Sequence, residues 1–313
     1  MLQFVLRRIV QVIPILFGVT IVTFILVQIM PGSIADQMVP PGAPQSLKDE
    51  INRIYGLDRS LFEQYFFWLW QLLRGNLGLS LVSGRPVAGE IWDAMLNTLK
   101  ITLFAAALGF TLGIVFGAIS ALNVRRWPDR LFTLVAIAGV SVPHFWLSIL
   151  LITIFAVELN WLPAQGMGPA GFPVSWQQWK PMILPVFTLS LIPMGIVGRL
   201  VRASVLEVLS QEFVSALGAK GLRGREIRRH IAKNAAPAVL AVMGLQFGYL
   251  LGGSILVETV FNWPGTGKML NQAIFTNDMP IIQAAMLVLS VMFVLVNLGV
   301  DVAQGAIDPR MRR

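Results

Sequence analysis

Residues 101–122 read ITLFAAALGFTLGIVFGAISAL and contain no charged side chain. A helix needs roughly 17–25 mainly apolar residues to cross a bilayer, and this stretch supplies them. Other stretches of similar length carry at most one charge each. The sequence therefore predicts six transmembrane helices, at about residues 9–30, 101–122, 131–157, 181–201, 238–257 and 280–300.

The composition is that of a membrane protein. Hydrophobic residues make up 56% of the chain and charged residues 13%, about half the usual charged share of a soluble domain. A further uncharged run, residues 159–179, carries several prolines and glycines. Because lipid-exposed backbone must satisfy its own hydrogen bonds, we interpret this run as an interfacial loop. We expect an all-α integral membrane protein.

Lysine and arginine are concentrated in alternate connections between the spans, with the largest group in residues 199–233. Cytoplasmic loops carry this excess, so both termini are predicted to be cytoplasmic. Orientation and attraction to anionic membrane lipid explain the net charge of +8, and we expect no nucleic-acid partner. The absence of cysteine from the sequence excludes disulfides, thiol catalysis and cysteine-ligated metal.

The segment after the first span predicts two short external helices. Each begins with a serine that is followed three residues later by an acid, and each ends at a glycine suited to a left-handed stop. A broad apolar face on the second helix is expected to pack on the bundle, with the membrane surface as the alternative. The residues are Ser46, Asp49 and Gly56 in the first helix, and Ser60, Glu63 and Gly75 in the second.

The richest cytoplasmic connection, residues 211–237, reads QEFVSALGAKGLRGREIRRHIAKNAAP. Its glycines predict a short helix with exposed backbone and then a tight turn, a shape suited to a groove on a partner. Beyond the turn, Arg225, Arg228 and Arg229 share one helical face, and Pro237 marks the start of the fifth span. The alternative is a basic helix that lies on lipid and only fixes the topology.

Several stretches together resemble one protein family. AKGLRGREIRRHIAKNAAP (residues 219–237) and GLQFGYLLGGSILVETVFNWPGTG (residues 244–267) are similar to permeases of binding-protein-dependent ABC importers, in the dipeptide, oligopeptide and nickel branch. The resemblance covers most of the chain. It implies a six-span permease fold with an extra external helical segment, divided into residues 1–30, 31–100 and 101–313, with a cytoplasmic coupling loop at 202–237.

The resemblance also implies an assembly and a cargo. The expected partners are a second homologous permease, two ATPase subunits that carry ATP and magnesium, and an external substrate-binding protein. The chain itself is expected to hold no cofactor or metal and to cross a bacterial inner membrane several times. Dipeptides, oligopeptides or glutathione are the expected cargo, and nickel chelates or opines are alternatives.

In the family, the cytoplasmic loop forms a coupling helix that docks in a cleft of the ATPase. Leu217 and Gly218 depart from the family pattern, which commonly has a small residue and then arginine, and this puts individual side-chain contacts in question. The residues that the resemblance assigns to docking are Glu212, Ala216, Leu217, Gly218, Ala219, Lys220, Gly221 and Leu222.

The stretch GTGK at residues 265–268 looks like part of a nucleotide-binding loop. A P-loop requires an earlier glycine and a hydroxyl residue after the lysine, but this chain has Asn262 and Met269 at those positions. We interpret the stretch as an external turn whose glycines permit tight backbone turns.

Candidate pathway residues are few, because charged groups inside spans are rare here. Pro143 predicts a kink, which makes the neighbouring His144 either a pathway residue or a structural histidine. Gly248 belongs to a series of small residues that favours helix packing over contact with cargo. Glu258 bounds its span, at headgroup level or facing an external gate.

Other functional classes are less well supported by the sequence. The two histidines are His144 and His230, which lie at different levels, and the spans lack a carboxylate pair, so neither a metal site nor an acid–base pair is predicted. We therefore expect a transport subunit and not an enzyme. A passive channel would explain six spans but would leave the short cytoplasmic helix without a role.

Overall fold

A computed structural model describes residues 2–29, 44–56, 58–169 and 171–307. These residues confirm the all-α fold, with helices joined by turns and loops and an isolated bridge between Leu79 and Pro86. Three C-terminal arginines, at positions 310, 312 and 313, and the start of the external segment lie outside the described residues. The helices are α1 (Leu2–Ile29), α2 (Gln45–Tyr55), α3 (Leu61–Leu73), α4 (Val87–Leu122), α5 (Trp127–Ser141), α6 (His144–Leu151), α7 (Trp176–Trp179), α8 (Ile183–Leu209), α9 (Glu212–Ala219), α10 (Gly224–Val260), α11 (Thr266–Thr276) and α12 (Met279–Ile307).

Helices α1, α4, α10, α12 and the stretch from α7 through α8 are long and apolar enough to cross a membrane, which gives five spans in the described residues. The predicted third span is instead two helices bent by 102°, and α6 continues in π-helical geometry over Ile152–Glu158. Val142 is extended because proline disfavours a helical residue before it, and Pro143 is the N-cap residue of α6. Six spans result if the bent pair counts as one.

Helices α4 and α10 extend furthest beyond the predicted bounds of their spans. Helix α4 begins at Val87, and its first turns bury Val87, Ile91, Ala94 and Thr98 on one face. Charged residues on the other sides of these turns interrupted the apolar run in the sequence and concealed the helix. Helix α10 joins the predicted basic helix and the fifth span without a break, with Pro237 inside it.

Close packing between α4 and α8 forms the centre of the bundle. A Cβ atom on Gly109 would lie 2.6 Å from the carbonyl oxygen of Ser190, and one on Gly113 would lie 2.9 Å from that of Met194. Small residues let the two backbones approach each other at these points. The close contact between the two backbones restricts sliding of α4 along α8.

The external helices partly follow the prediction. Ser60 and Glu63 form the expected capping box at the start of α3. The predicted cap at Ser46 is wrong, because α2 already begins at Gln45, after Pro44, and has no side-chain cap. The glycine stops are confirmed, since Gly56 and Gly75 have φ angles of 67° and 76°.

Helix α3 packs on the bundle through one edge. Tyr65 is buried, and its hydroxyl lies 2.8 Å from the Thr20 hydroxyl of α1. Phe62 and Leu73, on the same helix, remain 72% and 73% exposed. The predicted packing therefore accounts for only part of the apolar surface of α3.

Candidate functional site

We define the coupling segment as residues 211–223, which connect α8 to α10. Helix α9 is held on one side by Phe213 and Val214, which pack with Val208 of α8 and with Ile231 and Ala235 of α10. Both long helices therefore hold the short helix.

The end of α9 is a Schellman motif. The amide of Leu222 donates to the carbonyl of Leu217 at 3.3 Å, and the amide of Gly221 donates to the carbonyl of Gly218 at 2.9 Å. Gly221 has a φ of 78°, in the left-handed region that favours glycine. This is the turn that the sequence predicted between the short helix and the basic helix.

The outer face of the coupling segment is exposed among the described residues. Leu217 and Leu222 are half-buried and close the turn on its inner side. The outer face is formed by the exposed residues Glu212, Ser215, Ala216, Gly218, Ala219, Lys220 and Gly221. The exposed Arg225, Arg228 and Arg229 continue it onto the first turns of α10. Small side chains beside a positively charged surface suit a groove lined partly by acidic groups.

Pro143 and His144 lie at the bend between α5 and α6. His144 is 8% exposed, and its Nε2 atom has no hydrogen-bond partner among the described residues. Its ring centroid is 6.4 Å from that of Tyr249 on α10, and a Cβ atom on Gly253 would lie 3.8 Å from its Nδ1 atom. The bend thus brings the histidine against the fifth span.

Gly248 packs against α12. A Cβ atom there would overlap the ring of Phe293, while one on Gly244 would lie 2.7 Å from a methyl group of Val300. In this chain, the side of α10 that carries Gly244 and Gly248 therefore faces α12. Gly252 has no heavy atom within 4 Å of its Cβ position, so α12 does not pack against it.

Glu258 is fully buried near the C-terminal end of α10, and its level relative to the membrane headgroups stays a prediction. Its carboxylate accepts a hydrogen bond from the Thr98 hydroxyl of α4 at 2.8 Å and another from the backbone amide of Lys268 at 3.0 Å. The same Thr98 oxygen accepts from the amide of Thr266 at 2.8 Å. One carboxylate thus joins α4, α10 and the first turn of α11.

The glycines of GTGK serve this contact. A Cβ atom on Gly265 would lie 2.5 Å from an oxygen of Glu258, and one on Gly267 would lie 2.9 Å from the same oxygen. Gly265 is extended, with a φ of −103°, and the left-handed residue of the turn is Asn262, with a φ of 52°. The glycines therefore allow close approach of a side chain, which corrects their interpretation as turn residues. The backbone amide of Lys268 donates its hydrogen bond to the carboxylate of Glu258.

Sequence reasoning missed an ion pair between a buried carboxylate and a partly exposed arginine near the coupling segment. Arg202 of α8 binds both carboxylate oxygens of Asp129 of α5, from Nε at 2.7 Å and from Nη2 at 3.0 Å. An acid and a base at the same predicted membrane edge were the available signal in the sequence. In the described part of the chain, histidine and acidic residues form no group of three or more that could hold a metal.

Two family models match consecutive parts of the chain. Residues 113–313 match the family model of the inner membrane component of binding-protein-dependent transport systems. Residues 1–102 match the model of the N-terminal part of that membrane component. The chain belongs to this permease family.

Curated relatives cover the whole permease. It is 39% identical over 333 residues to a dipeptide transport system permease protein of Alkalihalophilus pseudofirmus, and the match covers 100% of both chains. It is 40% identical over 313 residues to a glutathione transport system permease protein of Escherichia coli, with 100% of this chain and 99% of the relative covered. The permease is thus a transport subunit, and separate subunits hydrolyse ATP in such systems.

A solved structure shares the fold of the permease. The inward-facing methionine ABC transporter matches with a TM-score of 0.57 and 17% identity, over 70% of this chain and 96% of that one. This similarity supports the ABC permease fold. A membrane subunit of such an importer works with ATPase subunits and a substrate-binding protein.

Proposed function

We propose that this permease forms half of the translocation pathway of an ATP-driven peptide importer, beside a second homologous permease. Two ATPase subunits lie on the cytoplasmic side, and a substrate-binding protein delivers cargo from outside. Dipeptides or glutathione are the proposed cargo. Relatives that are 39% and 40% identical over the whole chain, and carry those names, support this choice.

The observation that carries the proposal is the outer face of the coupling segment. Ala216, Gly218 and Ala219 are exposed there on a short helix whose opposite face is anchored to α8 and α10. A rigid knob of small residues is what a cleft in an ATPase can accept. ATP-driven closure of the ATPase pair would then move α9 and switch access between the two membrane sides by rigid-body motion.

The basic residues support an orientation. Arg223 ends the coupling segment, and Arg225 and Lys233 follow it on α10; all three are exposed, as expected for the cytoplasmic side. The same residues lie where anionic lipid headgroups attract positive charge. We infer cytoplasmic termini and a bacterial inner-membrane location from this arrangement.

Reconstitution tests the proposal. The permease, its partner permease and the ATPase subunits are placed in proteoliposomes with the binding protein, and uptake of a labelled dipeptide and of labelled glutathione is measured. We expect uptake that requires both ATP and the binding protein. Uptake that continues without ATP would instead indicate a passive channel, and exclusive uptake of a nickel chelate would contradict the peptide cargo.

A further inference from the structure

Asp129 is a buried carboxylate that receives hydrogen bonds from three parts of the chain. It is 6% exposed, and both of its oxygens are bound by Arg202 of α8. The hydroxyl of Ser120, near the end of α4, also donates to it, and the backbone amide of Arg125 donates at 2.9 Å. The carboxylate therefore connects α4, the turn after it, α5 and α8.

The chemistry of this cluster favours one fixed geometry. A guanidinium group that binds a carboxylate through two parallel hydrogen bonds restricts both distance and angle. Removal of either charge leaves the other partly desolvated without its partner. Lysine cannot replace arginine here without loss, because its ammonium group lacks the planar pair of donors.

Packing further along the three helices limits the same motion. A Cβ atom on Gly195 of α8 would lie 2.8 Å from the carbonyl oxygen of Ala136 on α5, and one on Gly198 would overlap the ring of Phe132. A Cβ atom on Gly117 of α4 would likewise overlap the carbonyl oxygen of Gly198. Helices α4, α5 and α8 are thus interlocked along their length, and Asp129 closes one end.

This closed end lies next to the coupling segment. Arg202 is seven residues before the last residue of α8, which corresponds to about 10 Å of helix. Only Ser210 and Gln211 separate that helix from α9. A displacement of α9 therefore reaches α8 close to the ion pair, before it reaches the interlocked glycines.

We propose that Asp129 is a positioning residue for energy coupling, because its bonds to Arg202 and Ser120 make α4 and α5 move together with α8 when α9 is displaced. This inference rests on the proposed function of the coupling segment. Without the bonds, α8 can pivot at its end while α4 and α5 stay behind. ATP hydrolysis would then continue while less cargo is moved for each ATP.

The test compares cargo uptake and ATP hydrolysis in the same proteoliposomes. Asp129→Asn keeps the side-chain shape but removes the charge, and Arg202→Lys keeps the charge but removes the paired donors. We expect assembled complexes that hydrolyse ATP at a near-normal rate, with uptake per ATP reduced roughly fivefold or more, the lower end of typical coupling between sites. The double variant Asp129→Ala, Arg202→Ala should reduce uptake per ATP by no more than either single alanine change does.

Arg130→Ala is the matched control, since Arg130 is the exposed neighbour of Asp129 on α5. An unchanged uptake per ATP in Asp129→Asn or Arg202→Lys overturns the inference, also when less complex assembles, because the pair then serves stability alone. If Asp129→Asn does not assemble, Arg202→Lys decides by the same ratio. A wild-type complex without ATP-dependent uptake would contradict the proposed function instead.

Discussion

At the residue scale, hydrogen bonding explains the buried Glu258, and backbone conformation explains Gly221. Burial of a carboxylate is costly unless hydrogen bonds replace its water, and Glu258 receives them from Thr98 and Lys268. The second donor belongs to the first turn of α11, where the helix dipole also favours negative charge. At Gly221 no neighbouring atom would clash with a Cβ atom, so glycine is required there only by its left-handed backbone angle.

Glu258→Ala should destabilise the permease. The change leaves a buried hydroxyl and a buried amide without their acceptor, at a cost of about 1–3 kcal/mol. Glu258→Gln retains one acceptor oxygen and should lose less. The measurement is thermal unfolding of the purified complex, with Thr259→Ala as the exposed neighbouring control. An alanine variant as stable as the control would contradict the structural role of this carboxylate.

Gly221→Val should abolish coupling while the spans still insert. A side chain at a φ of 78° is strained by about 1–2 kcal/mol, and a branched one also obstructs docking. We expect normal abundance in the membrane, with uptake and cargo-stimulated ATP hydrolysis reduced by about tenfold or more, the effect of 1.4 kcal/mol. Immunoblots measure the abundance, and uptake and ATPase assays measure the two activities.

Gly224→Ala is the matched control for Gly221→Val. Gly224 begins α10 at an ordinary backbone angle, and its Cβ position meets only the flexible end of Arg228 at 3.9 Å. If the coupling segment served only to bind lipid, Gly221→Val would be silent. Neutralisation of Arg225, Arg228 and Arg229 would then be the harmful change.

At the element scale, the sequence predicted helices where one physical signal was dominant. Charge-free runs located the membrane spans, and the glycine pattern located α9 and its turn. The first turns of α4 were missed because Asp93 and Glu90 lie on a helix that buries only one face. The 102° bend was underestimated, since Pro143 predicts an interruption but not its angle. A contact between distant positions, such as Asp129 with Arg202, leaves no periodic pattern in the sequence, and only the placement of an acid and a base at one predicted membrane edge pointed to it.

Lys268→Ala should leave nucleotide binding by the assembled complex unchanged. Lys268 contributes its backbone amide to Glu258, and alanine keeps that amide. The surrounding turn also lacks the glycine and the hydroxyl that a phosphate-binding loop requires. Binding of a fluorescent ATP analogue to wild-type and variant complexes measures this. A loss of binding in the variant would mean that GTGK is a nucleotide site after all.

At the scale of the whole molecule, α10 connects the two ends that matter for the proposed transport cycle. Its 37 residues correspond to about 55 Å of helix, from the coupling segment to the buried Glu258. The coupling segment and the GTGK turn therefore lie at opposite ends of one continuous element. The orientation of the chain in the membrane therefore decides which of the two faces the cytoplasm, where the ATPase subunits of the proposed importer lie.

Single cysteines introduced into this chain, whose sequence has none, should report that orientation. Gln45 of α2 and Lys220 of the coupling segment are both exposed, so accessibility within the protein does not limit either reaction. The basic connections predict that Gln45→Cys reacts with a membrane-impermeant maleimide in intact cells. Lys220→Cys should react only after the membrane is opened. An uptake assay on each variant shows that the labelled protein is folded. If Lys220→Cys reacted from outside, α9 could not reach a cytoplasmic ATPase, and the coupling role of the segment would be excluded together with the orientation.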